Sequence, residues 1–532
     1  WCSVPSSQRA ASSLDWPSEH ERTRFQDTPG QTAGRFERLY FRTVMRRSVC
    51  VVVPALFLVF GPQERATPPR DAQLDALVVE ASAAPPEFAA DVLIRASASP
   101  RVVDASWKRE LLETAFIRAY GSQQDYRRAS APISPDTRQG ADALAADTPL
   151  NRITLQVRAA EGMRNVDPGR ARELFEWIEL NLESGACESP LVPALDEYYA
   201  ALATLARQTF PDGAQGRGDA LQFFELYLWR ARLPSEMPAV ATAVRRLRRT
   251  RDEAAYLETI LREILEHGER DPRVFSASAI DIVSKIADLD DADRALGIHG
   301  AYLLAALRRY LVAQLTGPRC SDSTIDDATI EMFNAIVRRR EAPLDGVNPI
   351  AANDARPSRM LGAIRPTPYW QTPESRRLHD DALRLRGTGR VPVPESVRRS
   401  PPWLAQADRH LTDVQQWTGT HEAAERDYFY QKGILFAGLI ELTPRSSTRT
   451  RVLRGFADFL HRSDAEHRRA LWFLFAGRLI ELTHSADSRE VLRALEDSGD
   501  QVLGLYAHAA RALPLGQAAT STSRVLRPRT PR

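Results

Sequence analysis

The sequence predicts an all-α protein, a stack of helical hairpins of the α-solenoid kind. Three observations predict it. Apolar residues recur at three- and four-residue spacing through most of residues 67–513. No neighbouring stretches show the two-residue alternation and turn chemistry of a strand pair. One segment is written twice: LFAGLIELTPRSSTRTRVLRGF, from Leu435 to Phe456, returns as LFAGRLIELTHSADSREVLRAL, from Leu474 to Leu495. LFAG recurs at an offset of 39 residues, LIELT at 40 and VLR at 39 again. Helix, turn and helix fit that length. A unit of this kind cannot bury its apolar face alone, so copies stack until a core closes.

The elements follow in order. Residues 1–44 are Ser-, Arg-, Pro- and Gln-containing without a helical period, and are expected to be translated upstream sequence or an unstructured arm. Residues 45–66 resemble a secretory signal: Met45, Arg46 and Arg47 precede the apolar run Ser48–Gly61. That run is short for a membrane span, and it leaves two alternatives open, cleavage or retention as an anchor. Residues 67–340 are expected to form a first helical block. In it, PPEFAADVLIRASAS opens on proline and spaces Phe88, Val92 and Leu93 on one face. Asp104 reads as an N-cap and Gly121 as a stop. A Ser/Pro/Ala-rich loop from about Ser122 to Asp147 reads as a mobile insertion. Asp167-Pro168 then starts a helix whose buried stripe is Leu174, Phe175 and Ile178. Residues 341–402 break the pattern and read as a Pro/Arg-rich surface linker with one helix, PESRRLHDDALRLR. Residues 403–513 form a second helical block holding the repeat, and 514–532 a disordered basic tail.

The segment LQVRAAEGMRNVDPGRARELF resembles part of a tetratricopeptide unit, with Ala159, Ala171 and Phe175 at its small, small and aromatic positions. It departs at Gly162, where that pattern has tyrosine, and at Ile178, where it has alanine. The layout as a whole is similar to exported, helix-rich proteins of GC-rich bacteria. Neither resemblance supplies a catalytic residue.

Composition narrows the function classes. Basic and acidic residues nearly balance, 71 against 69, which argues against a dedicated nucleic-acid binder. Lysine occurs only at Lys108, Lys285 and Lys432, a bias that points to a GC-rich genome. No GxxxxGK[ST] phosphate cradle and no HExxH zinc site occurs. In DLDDADRALGIH the sixth and twelfth positions are Asp293 and His299, not the glycine and bidentate acid of a calcium loop. Those acids are expected to cap the start of the next helix. His461 and His467, six apart, do not share a helical face and read as surface residues. Glu374-Ser375 is a superficial match to the catalytic Glu-Ser of lytic transglycosylases, but the Gly-Leu-Met-Gln stretch of that family is missing. No catalytic residue, metal site or cofactor is therefore assigned.

Two features point to structure or binding. Cys187 and Cys320 sit in loop-like stretches and, on the expectation that the chain is exported, are a candidate disulfide. Arg245, Arg246, Arg248, Arg249 and Arg251 form the densest basic run, a candidate surface for an acidic or anionic partner, with Val244 and Leu247 on the core side. Phe224, Tyr227 and Trp229 line either core or groove. The expected function is a non-enzymatic scaffold that binds a protein or peptide in the cell envelope or periplasm. It touches a membrane only through residues 45–66, if these are uncleaved. The alternative is a periplasmic glycan-directed hydrolase with carboxylates in a helical groove.

Overall fold

The computed structural model describes residues 70–513 with breaks at 123–126, 130–136, 139, 141–149, 181–190, 232, 249, 269–278, 299, 317–318, 321–322, 340–346, 352, 355–359, 363–368, 388–392, 420–424, 463–491, 494–495 and 498. The expectations for residues 1–44, 45–66 and 514–532, for Cys187, Arg249 and His467, and for most of the second repeat copy lie outside the described residues. So does the side chain of Cys320.

The first hairpins form where local chemistry places their ends. Helix α1 (Ala72–Ala83) starts at Asp71, whose carboxylate accepts from the Gln73 and Leu74 amides at 3.0 and 3.2 Å. Helix α2 (Pro86–Ala98) carries proline in its first turn and buries Phe88, Val92 and Leu93, as expected. Helix α3 (Ala105–Ala119) is capped by Asp104, which accepts from the Ser106 amide at 2.9 Å. Helix α4 (Arg152–Met163) is capped by Asn151 and α5 (Pro168–Glu176) by Asp167. The expected stripe of Leu174, Phe175 and Ile178 is buried. Gly162 has a packing reason: a Cβ there would lie 2.8 Å from Leu112 Cδ2, so the missing side chain lets α4 approach α3.

The array continues through α6 (Asp196–Gln208), α7 (Ala214–Leu228), α8 (Met237–Leu247), α9 (Arg251–Gly268), α10 (Ala279–Ala295), α11 (Ala301–Thr316) and α12 (Ser323–Arg338). Helices α4, α6, α8, α10 and α12 pack in succession as one row. Bonds along each row fix the register. Tyr199 donates to Glu236, 37 residues on, and Arg207 to the Arg246 carbonyl, 39 on. Arg245 meets Asp288 across 43 residues. In the second row, which runs through α9 and α11, Arg309 meets Glu266 across 43 residues and Gln314 donates to the Gly268 carbonyl across 46. Nearly constant separations mean that equivalent helices run parallel, one hairpin apart. That is the stacking geometry of a solenoid.

The second block repeats the scheme. Helix α13 (Pro373–Arg386) is followed by the short α14 (Glu395–Arg398) and lies antiparallel to α15 (Pro401–Gln416), through Arg377–Asp413 at 2.9 Å and Trp403 Nε1 to the Leu385 carbonyl at 3.3 Å. Helix α16 (Glu425–Leu442) lies antiparallel to α17 (Ser447–Arg462), with Phe436 and Phe456 5.3 Å apart. The first repeat copy is therefore a helix, a turn and a helix, as its sequence implies. Arg451 of α17 pairs with Asp408 of α15, 43 residues back, close to the sequence period.

Two parts depart from expectation. Strand β1 (Arg127–Ala129) pairs antiparallel with β2 (Leu191–Pro193), and β3 (Arg319–Cys320) pairs parallel with β4 (Met360–Gly362). These bridges are too short to carry an alternating pattern, so the sequence hides them. The stretch 341–402, expected on the surface, sends Val347, Ile350, Tyr369 and Trp370 into the core, and Trp370 stacks on His379 at 4.5 Å. Its prolines prevent continuous helix without preventing burial.

Helix α18 (Gln501–Ala512) packs against α1 and α2, at the far end of the sequence. All of these elements belong to one compact unit, Thr67–Arg532.

Helix α7 supplies a paired test of backbone contact. A Cβ at Gly216 would collide with the Pro211 carbonyl oxygen, whereas Gly218, two residues on, has open space. Gly216→Ala should destabilise by about 1–3 kcal/mol through overpacking. Gly218→Ala should stabilise by roughly 0.5–1 kcal/mol through helix propensity. Urea unfolding of both variants checks the opposite signs.

Candidate interaction site

The arginine run does not form one face. Arg245, Arg246 and Arg251 are exposed, and Val244 and Leu247 are buried beneath them. Arg248 is a correction to the expected surface. Helix α8 stops at Leu247 and Arg248 turns to extended backbone, which carries its side chain inward to 6% exposure. There it pairs with Asp293 and donates to the Leu289 carbonyl at 3.2 Å.

The acids of Asp288–Asp293 are also placed differently. They stand in the C-terminal half of α10, not at the start of the following helix. Asp290 and Asp293 are buried on the side that faces α8. Carboxylates at this end oppose the helix dipole. Arg248, just past the end of α8, and Arg294 on α10 supply the countercharge. Burial still pushes the Asp293 carboxyl up to about 6 against the pull of Arg248, with Asp290 adding to the rise. Glu258 on α9 is raised too, by burial first and Asp293 second. Among the described residues, no three His, Cys, Asp or Glu side chains converge as a metal site.

A pH signature follows. In the fold Asp293 keeps its proton to about pH 6, and in the unfolded chain only to the ordinary carboxylate range. Its contribution is fully present at low pH and lost as pH rises through about 6. Between about pH 4 and about pH 7.5, wild type should lose on the order of 2 kcal/mol relative to Asp293→Asn. Urea titrations of both chains at three pH values test this. A pH-independent difference refutes it.

Other candidates resolve into structure. Ser375 is buried and bonded to Thr372, the N-cap of α13, and Glu374 is exposed in that first turn. Lys432 is buried and donates to the Gln415 and Trp417 carbonyls at 3.2 and 2.5 Å, closing the end of α15. Burial lowers its pKa to about 8, with Arg462 assisting.

The aromatics divide. Phe224 and Tyr227 are core, and Trp229, two residues after Tyr227, is exposed at 38%. The same spacing occurs one hairpin earlier: buried Phe175 touches Tyr227 at 5.2 Å, and two residues after Phe175 stands exposed Trp177. The two tryptophans cap the C-terminal ends of α5 and α7. Around Trp229 lie residues that sequence reading missed. Its Nε1 donates to Glu225 at 3.2 Å, Tyr256 of α9 donates its hydroxyl to the same carboxylate, and the His267 ring meets the indole edge-on at 6.0 Å. The bond to Glu225 raises the Tyr256 hydroxyl to about 12. Leu226 is exposed on the same helix. One sequence signal could have found Tyr256: Leu257, Ile260, Leu261 and Ile264 define the core stripe of α9, and Tyr256 falls off it.

These rings form a surface, not an enclosed cleft. A hollow between α6 and α7 sets Arg207 and Arg217 beside Asp212 and Glu253. The buried carboxyls of α10 do not line it. Comparison with known protein families, curated proteins and solved structures finds no match for this chain.

Proposed function

We propose that this chain is an exported helical-repeat scaffold that binds a protein or peptide partner in the cell envelope and catalyses no reaction itself. The observation that carries the reading is the oriented aromatic surface at the ends of α7 and α9. Glu225 holds Trp229 and Tyr256 in fixed positions while leaving both rings exposed. Trp and Tyr dominate binding energy at interfaces because they bury large area at small entropic cost. Prepaid ordering reduces that cost further. Stacked hairpins supply an extended support for such a surface. Export rests on the signal-like residues 45–66. No described helix is long and apolar enough to cross a membrane.

The test is a crosslinked pull-down from the source cells with the full chain and with a Trp229→Ala/Tyr256→Ala variant that melts at the wild-type temperature. Wild type should recover one partner in near-equal amount, from the envelope fraction, and the variant at least about tenfold less, the loss of two hot-spot side chains. Equal recovery by both chains refutes the site. Release of sugar from envelope glycan by the wild-type chain refutes the scaffold and favours hydrolysis.

A further inference from the structure

The exposed Trp177 and Trp229 belong to a longer series. Tyr120, Trp177 and Trp229 each follow the last residue of their helix, α3, α5 and α7. His267 stands in the last turn of α9. All four residues are exposed. Contacts join each step to the next. Tyr120 donates its hydroxyl to the Trp177 carbonyl at 2.9 Å. Phe175 and Tyr227, each two residues before its tryptophan, meet at 5.2 Å. Trp229 meets His267 edge-on at 6.0 Å. Four alternate helices therefore set one aromatic ring each along the same edge of the array. The rings are also held in place. Arg152 lies over Tyr120 at 5.3 Å and Arg170 over Trp177 at 4.7 Å, and Glu225 fixes Trp229.

We propose that this edge binds a proline-rich peptide in the polyproline II conformation, laid along the row with a proline against each ring. This rests on the scaffold reading and gives the partner of that scaffold a chemistry. Two features select the occupant. The first is period. Packed helices stand about 8–10 Å apart. A polyproline II helix turns once in three residues and rises about 3.1 Å per residue, so like-facing prolines recur at about 9.3 Å. About ten such residues reach from Tyr120 to His267, with one contact at each step. The second feature is polarity. The Tyr120 hydroxyl is spent on the Trp177 carbonyl, Trp229 Nε1 and the Tyr256 hydroxyl on Glu225, and His267 Nδ1 on the Glu263 carbonyl at 2.7 Å. These rings offer apolar faces and few hydrogen bonds. Proline matches them, since its ring is apolar and its nitrogen carries no proton. A glycan would bring hydroxyls that these rings leave without partners. The peptide also loses little freedom, because its helix is formed before it binds.

The experiment titrates the full chain into fluorescein-labelled dodecaproline and reads anisotropy. Wild type should bind it with a micromolar dissociation constant. Tetraproline, which reaches two rings at most, should bind at least about tenfold more weakly. Trp177→Ala should weaken dodecaproline binding about tenfold, and Trp177→Phe should recover most of that loss, both in chains that melt at the wild-type temperature. The proposal is overturned if dodecaproline does not bind at millimolar concentration, if tetraproline binds as tightly, or if Trp177→Ala leaves the affinity unchanged. It is also overturned if chitohexaose binds in a Trp177-dependent way and dodecaproline does not, which assigns the edge to glycan. Trp177 lies outside the pair replaced in the pull-down. A partner recovered by wild type and lost by Trp229→Ala/Tyr256→Ala, beside any of these outcomes, keeps the scaffold reading and removes only the proline chemistry.

Discussion

Asp91→Ala should destabilise the protein by about 3 kcal/mol, the largest single effect of any charged residue described, because it strips a buried carboxylate from two guanidinium groups. Asp91 is 1% exposed at its side chain and joins Arg95, Arg158 and Tyr506 from three helices. Burial alone would raise its pKa, but the two arginines and their hydrogen bonds hold it below the ordinary carboxylate range. Its contribution is therefore present at neutral pH and is lost as pH falls through that depressed value, the reverse of Asp293. Hydrogen exchange gives the sharper readout. In an array, stability is a sum of local interfaces. Protection should fall first in α1, α2 and α18 and hardly at all in α8 to α11. Uniform loss across the chain would contradict the local reading.

The second large effect is expected at Phe175. Its ring stacks on Tyr198 at 4.7 Å and meets Tyr227 edge-on at 5.2 Å, so one side chain ties α5, α6 and α7 together. Phe175→Ala removes those contacts and leaves a cavity in a fully buried site, at about 4 kcal/mol. Phe175→Leu refills part of that volume and should recover about half of the loss. Urea midpoints of the two variants compare the costs directly. A Phe175→Leu variant as unstable as Phe175→Ala would mean that ring geometry, not volume, holds the joint.

Much of the fold was legible because its signals are local. Asp104 and Asp167-Pro168 announce their helix ends within a turn, and the apolar stripe of α5 follows from spacing alone. The stacking period was legible only where side chains repeat, at Leu435–Phe456 and its copy. In the first block the same period exists only as separations of 37 to 46 residues between bonded groups, which differ in type at each step. Asp288–Asp293 misled for a physical reason. Aspartates commonly mark a helix start, but Ile282, Val283, Ile286 and Leu289 bury one face and carry α10 through them. The candidate site was half legible. Trp229 was visible as an aromatic, but its exposure depends on where α7 ends, and its companions Tyr256 and His267 come from another hairpin. The docking of α18 on α1 and α2 leaves no periodic trace at all.

That docking also sets a clock during synthesis. Tyr506 trails its partner Asp91 by 415 residues. At roughly 5–20 residues per second, a ribosome needs about 20–80 s to make the difference. Throughout that interval the first hairpin has a helix-shaped apolar surface and a carboxylate still waiting for one of its partners. The nascent chain thus carries its most exposed face for longest at its oldest end, and a chaperone that shields residues 72–98 would be doing the work of a helix not yet translated.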